Sequence, residues 1–340
     1  MSVPVRVIVV GTGHGARVLL PAARRAGFEV VALVGQRAER TAKIAARHQV
    51  PLNFVSLSEA IVHTQPHAVI IASPPATHCD LVTQAAAAGL HIFCEKPLAH
   101  TAEDARRMEE VTASAGVIAV IGHQMRMLPA RRTVLELIQQ GEIGTPESAL
   151  FTMKTALLTQ PGFRMPAWWY HSPLGGGWLN ASGSHLIDFL IHGFGSIARC
   201  EGRLQPLSSE EPIDAGFRLE LTMASGLQVI AEQTGAHNGP TESEFLITGS
   251  HGAVRIEADE VLLDRGSGFA PIDLHFPALE AIAPSSQPGH QFAHIELPPA
   301  IALMRAFYEA VDSKASDPLL PSFSTGAQTC EAIAGIHNNG

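Results

Sequence analysis

Charged residues are scarce in this 340-residue sequence: Asp, Glu, Lys and Arg make up 16% of it, against about 25% in an average globular protein. The formal net charge is −9, and apolar residues make up 46%. This composition excludes a disordered or highly charged protein, because enough apolar side chains are present to form cores. It also lacks the basic footprint of proteins that bind nucleic acid or anionic membranes. We therefore expect neither partner.

Long apolar runs and a secretory signal are also missing. No run approaches the ~18 residues of a membrane span. The opening MSVPVRVIVVG lacks the charged region, long apolar region and cleavage site of a signal peptide. The chain has four cysteines, none in Cys-x-x-Cys spacing: Cys79, Cys94, Cys200 and Cys330. This pattern is typical of reduced thiols buried as small apolar side chains, and it predicts a cytoplasmic protein.

The first part of the chain alternates short β-branched runs with helical patterns, which is typical of a parallel sheet with helices on its faces. Strands are predicted at residues 5–10, 28–34, 68–72, 91–94 and 117–121, and helices at 14–26, 38–48, 77–88 and from Thr101 to Gly116. Pro21 is expected to kink the first helix or disturb one of its turns. We predict a doubly wound α/β domain over residues 1–123.

The pattern changes after Gly122 to an α+β domain over residues 124–340. Helices are predicted at 129–140 and 181–192, strands at 147–156, 198–206, 216–223 and 227–233, a meander at 245–264, an irregular Pro-rich loop at 271–299, and two final helices. The strands indicate a large, open, mostly antiparallel sheet. Because such a sheet needs its exposed face or edge covered, a homodimer or homotetramer through this sheet is expected.

The segment Gly11-Thr12-Gly13-His14-Gly15-Ala16 follows the first predicted strand and opens the first helix. It has the Gly-x-Gly-x-x-Ala form of a dinucleotide-binding fingerprint, in which the glycines allow a tight turn and a close approach to a pyrophosphate. The helix N-terminus then favours the negative charge. The alternative is a plain structural turn.

The second predicted strand ends at Val34 and is followed by Gly35-Gln36-Arg37, with no acid until Glu39. An acid here would hold the ribose 2′-hydroxyl of NAD and repel a 2′-phosphate. Arg37 instead is suited to pair with a phosphate, which favours NADP, with NAD still possible. The alternative is a solvent-facing arginine at a helix start.

Glu95-Lys96-Pro97 lies at the carboxyl end of a predicted parallel strand, where open α/β sheets bind their ligands. A lysine exchanges protons near neutral pH only when burial or a neighbouring cation lowers its pKa from ~10.4. A bound nicotinamide ring would supply such surroundings. Alone, the tripeptide also fits a strand-end charge pair.

A glycine-rich segment, Gly175-Gly176-Gly177, leads into a predicted helix that places His185, Asp188 and His192 on one face. His185 could exchange a proton with a substrate hydroxyl. The alternative is a core histidine bonded to Asp188. Gly183 inside this helix indicates close approach by a ligand or another backbone.

Other residues support several readings. Trp168-Trp169-Tyr170-His171 could form a wall for substrate or cofactor, or an aromatic plug. Arg126 could hold an anionic or hydroxyl-rich substrate, or cap a helix. The pairs His290/His294 and His63/His67 lack the Cys or carboxylate partners of a tetrahedral site, so no metal is expected.

Together these segments resemble the glucose–fructose oxidoreductase / inositol dehydrogenase / rhizopine-catabolism (Gfo/Idh/MocA) family. The resemblance covers nearly the whole chain and rests on Gly11–Ala16, Pro21, Ser73-Pro74-Pro75-Ala76-Thr77-His78, Glu95-Lys96-Pro97, Gly122-His123-Gln124-Met125-Arg126, Gly141-Glu142-Ile143-Gly144 and Gly175–Asp188. It implies a Rossmann domain, an α+β domain whose sheet often forms the oligomer interface, and hydride transfer between nicotinamide and a carbinol carbon of a sugar, cyclitol or related polyol.

The resemblance also implies site residues. Lys96 and His185 match the catalytic lysine and histidine. The predicted cofactor-binding residues are Gly11, Thr12, Gly13, His14, Gly15, Ala16, Gln36, Arg37, Ser73, Pro74, Pro75, His78, Glu95, Lys96 and Gln124. The predicted substrate-binding residues are Lys96, Arg126, Trp168, Asn180, Ser184 and His185.

One departure is clear: Ala181 stands four residues before His185, where the family usually has an aspartate. Alanine neither accepts a hydrogen bond nor holds charge, so one member of the usual proton relay is missing. Two alternatives to a dehydrogenase stay open. The resemblance implies that one is an NAD-dependent glycosidase that keeps its cofactor bound, as some relatives do. The other is a non-catalytic, dinucleotide-responsive regulator, which Ala181 makes more credible.

Overall fold

The computed structural model describes residues 4–161, 163–171, 175–210, 213–285, 292–313 and 319–339. The described chain forms two compact units, Met1–Met127 with Leu279–Ala327, and Leu128–Ala278 with Gln328–Gly340. None of the described helices combines the length and apolarity needed to cross a bilayer.

The first unit is built on a parallel six-stranded sheet. Its strands are β1 (Arg6–Val10), β2 (Glu29–Val34), β3 (Leu52–Phe54), β4 (Ala68–Ile71), β5 (His91–Cys94) and β6 (Ala119–Ile121), in the order β3-β2-β1-β4-β5-β6. The connecting helices are α1 (Leu20–Ala26), α2 (Ala38–Arg47), α3 (Leu57–Thr64), α4 (His78–Ala87) and α5 (Ala102–Ala115). This is the predicted Rossmann domain, and the central strand β1 is almost fully buried because helices cover both faces.

The first helix does not begin as an α-helix. Gly15–Leu19 is π-helical, and α1 follows with Pro21 in its first turn. Since proline has no backbone N–H to donate, the widened turn accommodates it without leaving a strained α-helical bond. The prediction that Pro21 disturbs a turn is confirmed.

The second unit is built on an eight-stranded sheet. Its strands are β7 (Pro146–Lys154), β8 (Ile197–Pro206), β9 (Asp214–Met223), β10 (Gln228–Thr234), β11 (Glu242–Gly249), β12 (Ala253–Glu257), β13 (Glu260–Asp264) and β14 (Ala270–Ile272). The order is β14-β13-β12-β11-β7-β10-β9-β8, and β7 with β10 is its parallel pair. Two helices of this unit are α6 (Pro129–Gln139) and α7 (Ser184–Phe194), the latter preceded by a π-helical turn, Leu179–Gly183. The mostly antiparallel sheet is confirmed.

The carboxyl-terminal region differs from the prediction. Pro271 lies in β14, and helix α8 (Ala293–Ser313) includes Pro298 and Pro299. The prediction of an irregular loop over residues 271–299 is therefore wrong at its beginning and at its end. Pro288 lies outside the described residues. The two helical prolines are buried, so they pack as apolar side chains near the start of the helix. The last helix, α9, spans Phe323–Asn339.

Helix α8 belongs to the first unit, although the predicted domain division placed it in residues 124–340. Its apolar side chains join the core of the parallel sheet: the Phe307 ring lies 5.6 Å from Phe28 and 6.0 Å from Phe93, measured between centroids. The predicted boundary at residue 123 follows the order of the sequence. In the structure, residues 279–327 return to the first unit, where α8 covers the parallel sheet.

Candidate active site

The glycine-rich turn after β1 has the local geometry that its sequence predicts. Gly11 has a φ of +120°, and a Cβ there would collide with the carbonyl of Ala72. A Cβ on Gly13 would meet no heavy atom within 4 Å, and one on Gly15 would lie 3.0 Å from the Ala72 Cβ. The turn is therefore tight at Gly11, open at Gly13 and packed against β4 at Gly15, as pyrophosphate binding requires.

The end of β2 meets this turn. A Cβ on Gly35 would lie 2.6 Å from both the Thr12 methyl carbon and Thr41 Oγ1, so a larger residue here would require these side chains to move. Gln36 and Arg37 are exposed just beyond it. Arg37 lines an open groove of about 680 Å³ together with further residues of α2: Ala38, Glu39, Arg40, Lys43, Ile44 and Arg47.

The segment after β4 forms the next part of the same sheet edge. Ser73 and Pro74 are half-buried, and Pro75 opens a short 3₁₀ turn. His78 is fully buried, with Nδ1 3.0 Å from the Leu98 carbonyl oxygen and Nε2 2.9 Å from that of Ser73. Burial lowers the pKa of His78, although the two carbonyls and the charge of Glu95 oppose this. The His78 ring therefore joins two loops, and its predicted contact with the cofactor stays a prediction.

Glu95 and Lys96 follow β5. Oε1 of Glu95 lies 3.5 Å from Nε2 of His14, and Oε2 accepts the backbone N–H of Lys96 at 3.1 Å. A Cβ on Gly122 would lie 2.9 Å from Oε1, so the loop after β6 also closes on this carboxylate. The glycine-rich turn and Glu95-Lys96 therefore meet at one edge of the sheet.

The Lys96 side chain is half-buried. Burial lowers the pKa of Lys96, while the charges of Glu95 and Glu296 raise it by a smaller amount. Glu296 lies in the first turn of α8 and is 3.7 Å from Arg17. Sequence reasoning missed Glu296, because nothing local to residues 293–297 indicates that α8 returns to this sheet.

Gln124 and Arg126 lie in a 3₁₀ turn after β6 and are 7% and 8% exposed. Among the described residues, the buried Oε1 of Gln124 has no hydrogen-bond partner. Such an acceptor suits an amide N–H of a ligand. Arg126 donates from Nη2 to Thr325 Oγ1 at 3.3 Å, so part of its guanidinium is used within the protein.

In the second unit, the glycine segment is folded around a carboxylate. Gly177 has a φ of +94°, and a Cβ there would collide with Asp214. Oδ2 of Asp214 accepts the backbone N–H of Leu179 at 2.7 Å. Burial raises the pKa of Asp214, although this hydrogen bond opposes the rise. Sequence reasoning missed Asp214, which fixes the start of the π-helical turn.

Asn180 and Ser184, both predicted to bind substrate, have internal hydrogen bonds. Asn180 Nδ2 donates to the Gly176 carbonyl at 2.9 Å, and Ser184 Oγ donates to the Asn180 carbonyl at 2.7 Å. The two residues are 7% and 0% exposed. These contacts give both residues a structural role, and their predicted substrate contacts stay a prediction.

His185 and Asp188 lie one turn apart on α7 and are 9% and 1% exposed. Gly183 precedes them, and a Cβ there would lie 2.9 Å from the Phe217 ring of β9. The close approach predicted at Gly183 is therefore to an aromatic side chain. Ala181 is half-buried in the same turn.

The two tryptophans of the aromatic segment Trp168-Trp169-Tyr170-His171 differ in burial. Trp169 is 1% exposed and belongs to the core, as does Trp178, which is 4% exposed. Trp168 is half-buried and packs against that core. The burial of Trp169 favours the alternative in which this side chain plugs the core, not the one in which it lines a ligand site. Within the described ranges no cluster of three His, Cys, Asp or Glu side chains has the geometry of a metal site, and His290 lies outside them.

Two family models cover most of the chain. Residues 5–123 match an oxidoreductase family with an NAD-binding Rossmann fold, and residues 131–255 match the Gfo/Idh/MocA carboxyl-terminal domain. The chain belongs to the Gfo/Idh/MocA family. It is accordingly an NAD-binding oxidoreductase.

Relatives within the Gfo/Idh/MocA family are distant. An uncharacterized oxidoreductase of Synechocystis is 25% identical over 91% of this chain and 87% of its own length. A 1,5-anhydro-D-fructose reductase of Ensifer adhaerens is 30% identical, and the match covers 51% of this chain and 49% of that enzyme. This chain therefore matches only about half of that reductase.

Solved structures of the same fold are similar over almost the entire chain. Levoglucosan dehydrogenase, in complex with NADH and levoglucosan, has a TM-score of 0.82 at 21% identity, with 99% of this chain and 97% of that chain covered. An oxidoreductase from Agrobacterium radiobacter, in complex with NAD⁺, L-tartaric acid and magnesium, has a TM-score of 0.84 at 18% identity, with 99% and 96% covered. At these identities the likeness supports the fold alone.

Proposed function

We propose that this Gfo/Idh/MocA oxidoreductase transfers a hydride between NADP and a carbinol carbon of a sugar, cyclitol or related polyol, with Lys96 and His185 as acid/base residues. The observation that carries the proposal is the 3.5 Å contact between His14 of the glycine-rich turn and Glu95, next to Lys96. It brings the dinucleotide-binding turn and the candidate catalytic lysine to one sheet edge.

The residues at this edge fit a dinucleotide. Gly13 leaves open space above the turn, and the backbone N–H groups of the following helix favour a pyrophosphate there. The buried Gln124 Oε1 supplies an acceptor for a carboxamide. When bound, the nicotinamide supplies the acceptor or donor of the hydride.

Lys96 is suited to hold and move the hydroxyl proton. Burial lowers the pKa of Lys96 below its ordinary value, which is the direction that makes a lysine more useful in general acid–base catalysis. Glu95 fixes the backbone of Lys96 through a hydrogen bond. His185 serves as the second acid/base group, and Asp188 in the next turn orients it.

Replacing Lys96 tests the proton step. We expect Lys96→Met to lower turnover about 10²- to 10⁴-fold, while nucleotide binding, measured by thermal shift, is largely kept. Turnover is read through reduced cofactor with a panel of sugars, cyclitols and other polyols. The matched control is Lys154→Met, which removes a half-buried lysine of β7 paired with Glu242 at 3.7 Å. Unchanged turnover in Lys96→Met would remove this lysine from the mechanism.

The preference for NADP is proposed from the end of β2. Gln36 and Arg37 are exposed there, with no carboxylate before Glu39, so a guanidinium is available to a 2′-phosphate. Thermal-shift titration is expected to give tighter binding of NADP than of NAD. Arg37→Ala should weaken NADP about 10-fold or more, since hydrogen bonds to charged groups contribute about 1.5–3 kcal/mol. NAD binding should be unchanged.

Arg47→Ala is the control for this titration, because Arg47 lines the same groove of α2 ten residues farther along the chain. Equal affinity of the unaltered chain for both nucleotides would contradict the NADP preference.

Ala181 favours a second candidate, a dinucleotide-responsive regulator. A half-buried alanine stands where the family's aspartate would contribute to proton transfer. A regulator would bind dinucleotide in the thermal-shift titration and show no turnover with any polyol, before or after replacement of Lys96.

A further inference from the structure

Helices α6 and α7 of the second unit pack side by side, with two contacts one helical turn apart. The Arg131 guanidinium lies over the Phe189 ring, 5.9 Å from its centroid. One turn farther, a Cβ on Gly193 would lie 2.5 Å from Leu135 Cδ2. Because each pair of residues is four apart on its helix, the two helices run in the same direction at this contact. Arg131 therefore lies beside the turn of α7 that carries Asp188.

Arg131 is half-buried, and part of its guanidinium is shielded from solvent. In the described part of the chain its Nη1 is shielded from solvent without a hydrogen-bond partner. Burial lowers the pKa of Arg131 to about 10, and the charges of Asp188 and Asp259 oppose this. The group therefore stays charged at neutral pH. A buried cation of this kind is tolerated when carboxylates lie close to it.

Asp188 connects this cation to the candidate catalytic histidine. It is 1% exposed and lies three residues after His185, on the same face of α7. His192 lies four residues after Asp188 on α7, and Asp259, in the turn between β12 and β13, is the second carboxylate whose charge acts on Arg131. The helical spacing thus places Asp188 beside His185, while the charge of Asp188 also acts on Arg131.

We propose that Arg131 is a positioning residue that acts through Asp188 to set the proton affinity of His185. This inference rests on the proposed acid/base function of His185. An ionised Asp188 stabilises the imidazolium form of His185, and the guanidinium offsets part of that effect. Removing the positive charge of Arg131 therefore favours protonated His185. A lysine at position 131 keeps the positive charge and should therefore keep the proton affinity of His185.

The test is histidine titration by NMR on the full chain with ¹³C-labelled histidine, with the His185 ring resonance assigned by its loss in His185→Gln. Arg131→Met is expected to raise the titration midpoint of this resonance by about 0.5–1 pH unit, a fraction of the 1–3 units that a directly adjacent charge produces. Arg131→Lys should leave it unchanged. Arg132→Met is the matched control, because Arg132 stacks on Phe276 at 3.8 Å instead.

A second variant pair tests the route through Asp188. In an Asp188→Asn background, Arg131→Met should no longer move the midpoint, because the carboxylate that transmits the effect is gone. An Arg131→Met shift that is absent, downward, matched by Arg132→Met, or undiminished in the Asp188→Asn background overturns the inference.

Catalytic measurements separate this inference from the proposed function. The pH profile of kcat should move with the NMR midpoint in Arg131→Met, with KM little changed. Turnover by the unaltered chain without any response of the His185 resonance overturns this inference alone. A response of the resonance without turnover on any hydroxylated substrate overturns the proposed function alone.

Discussion

At the scale of single residues, Glu95 links the nucleotide-binding turn to the candidate catalytic lysine. Burial raises the pKa of Glu95, but the nearby His14 and the charge and backbone N–H of Lys96 outweigh it, so the pKa is below its usual value of 4.5. A carboxyl with a depressed folded-state pKa contributes stability above its unfolded pKa, and this contribution is lost as the pH falls through the folded value.

Glu95→Gln should therefore lower the free energy of unfolding at pH 7 by about 1–3 kcal/mol, the cost of leaving buried polar groups badly paired. The difference in the free energy of unfolding between Glu95→Gln and the unaltered chain should shrink as the pH falls below 4.5, the ordinary pKa of this side chain. Urea unfolding between pH 7 and pH 3 measures it, with Glu110→Gln, an exposed position on α5, as control. A gap that stays constant with pH would refute the assigned pKa direction.

Residue identities in the candidate site could be predicted from the sequence, but their burial could not. His78, Asn180 and Ser184 fall within the motifs that carry the family resemblance, yet each is at least nine-tenths buried with hydrogen bonds inside the protein. A motif records which residue types occur together. It does not distinguish a side chain that touches a ligand from one that holds the loop in place, since both are needed for the same geometry.

At the scale of elements, two glycines of the turn after β1 are needed for different reasons, one for the backbone conformation and one for the space it leaves. Gly11 has a positive φ and faces the Ala72 carbonyl, while Gly13 faces open space. We expect Gly11→Ala to destabilise the fold by at least about 2 kcal/mol, from backbone strain and the collision. Gly13→Ala should leave stability within about 0.5 kcal/mol and weaken dinucleotide binding, because its methyl would occupy the space for the pyrophosphate.

Urea unfolding and nucleotide titration on the two variants give four values, and each variant is the control for the other. Equal loss of stability in both would mean that the open space at Gly13 is not present in solution. Unchanged nucleotide affinity in Gly13→Ala would place the pyrophosphate elsewhere.

Element boundaries were predictable where periodicity is local and regular. The alternation of β-branched runs and helical patterns predicted five of the six parallel strands, because these are mostly apolar runs. It missed β3, a three-residue strand with Asn53 at its centre. The π-helical turns at Gly15–Leu19 and Leu179–Gly183 were not predictable in type, because one extra residue per turn depends on packing against β4 and on the Asp214 carboxylate. Pro298 and Pro299 likewise read as loop residues, although packing places them in α8.

At the scale of the whole molecule, the sheet of the second unit has a mixed-charge outer side on β8, β9 and β10. Arg218 of β9 lies 3.3 Å from Glu232 of β10, and Ile230, two residues before Glu232 on β10, is 41% exposed. We retain the prediction that this sheet mediates a homodimer or homotetramer. Exposed ion pairs contribute little to stability by themselves, so their presence does not by itself define an interface.

The first unit is discontinuous in sequence, and this gives a prediction for its folding. Leu297, Ile301, Met304 and Phe307 of α8 are buried in its core. Since each large apolar side chain lost from a core costs about 2–5 kcal/mol, residues 1–127 alone would forfeit about as much as the 5–15 kcal/mol that stabilises a typical domain. We expect this fragment to be unfolded or aggregated, as measured by circular dichroism and size-exclusion chromatography.

Co-expression with residues 279–327 should restore a folded, dinucleotide-binding species, because the segment returns α8 to the core. The control is the same segment carrying Phe307→Asp, which places a charge between Phe28 and Phe93 and should fail to rescue, since an unpaired buried carboxylate is strongly unfavourable. A soluble 1–127 fragment with the nucleotide affinity of the full chain would show that α8 is dispensable. Rescue by the Phe307→Asp segment would show that the helix acts without its apolar face.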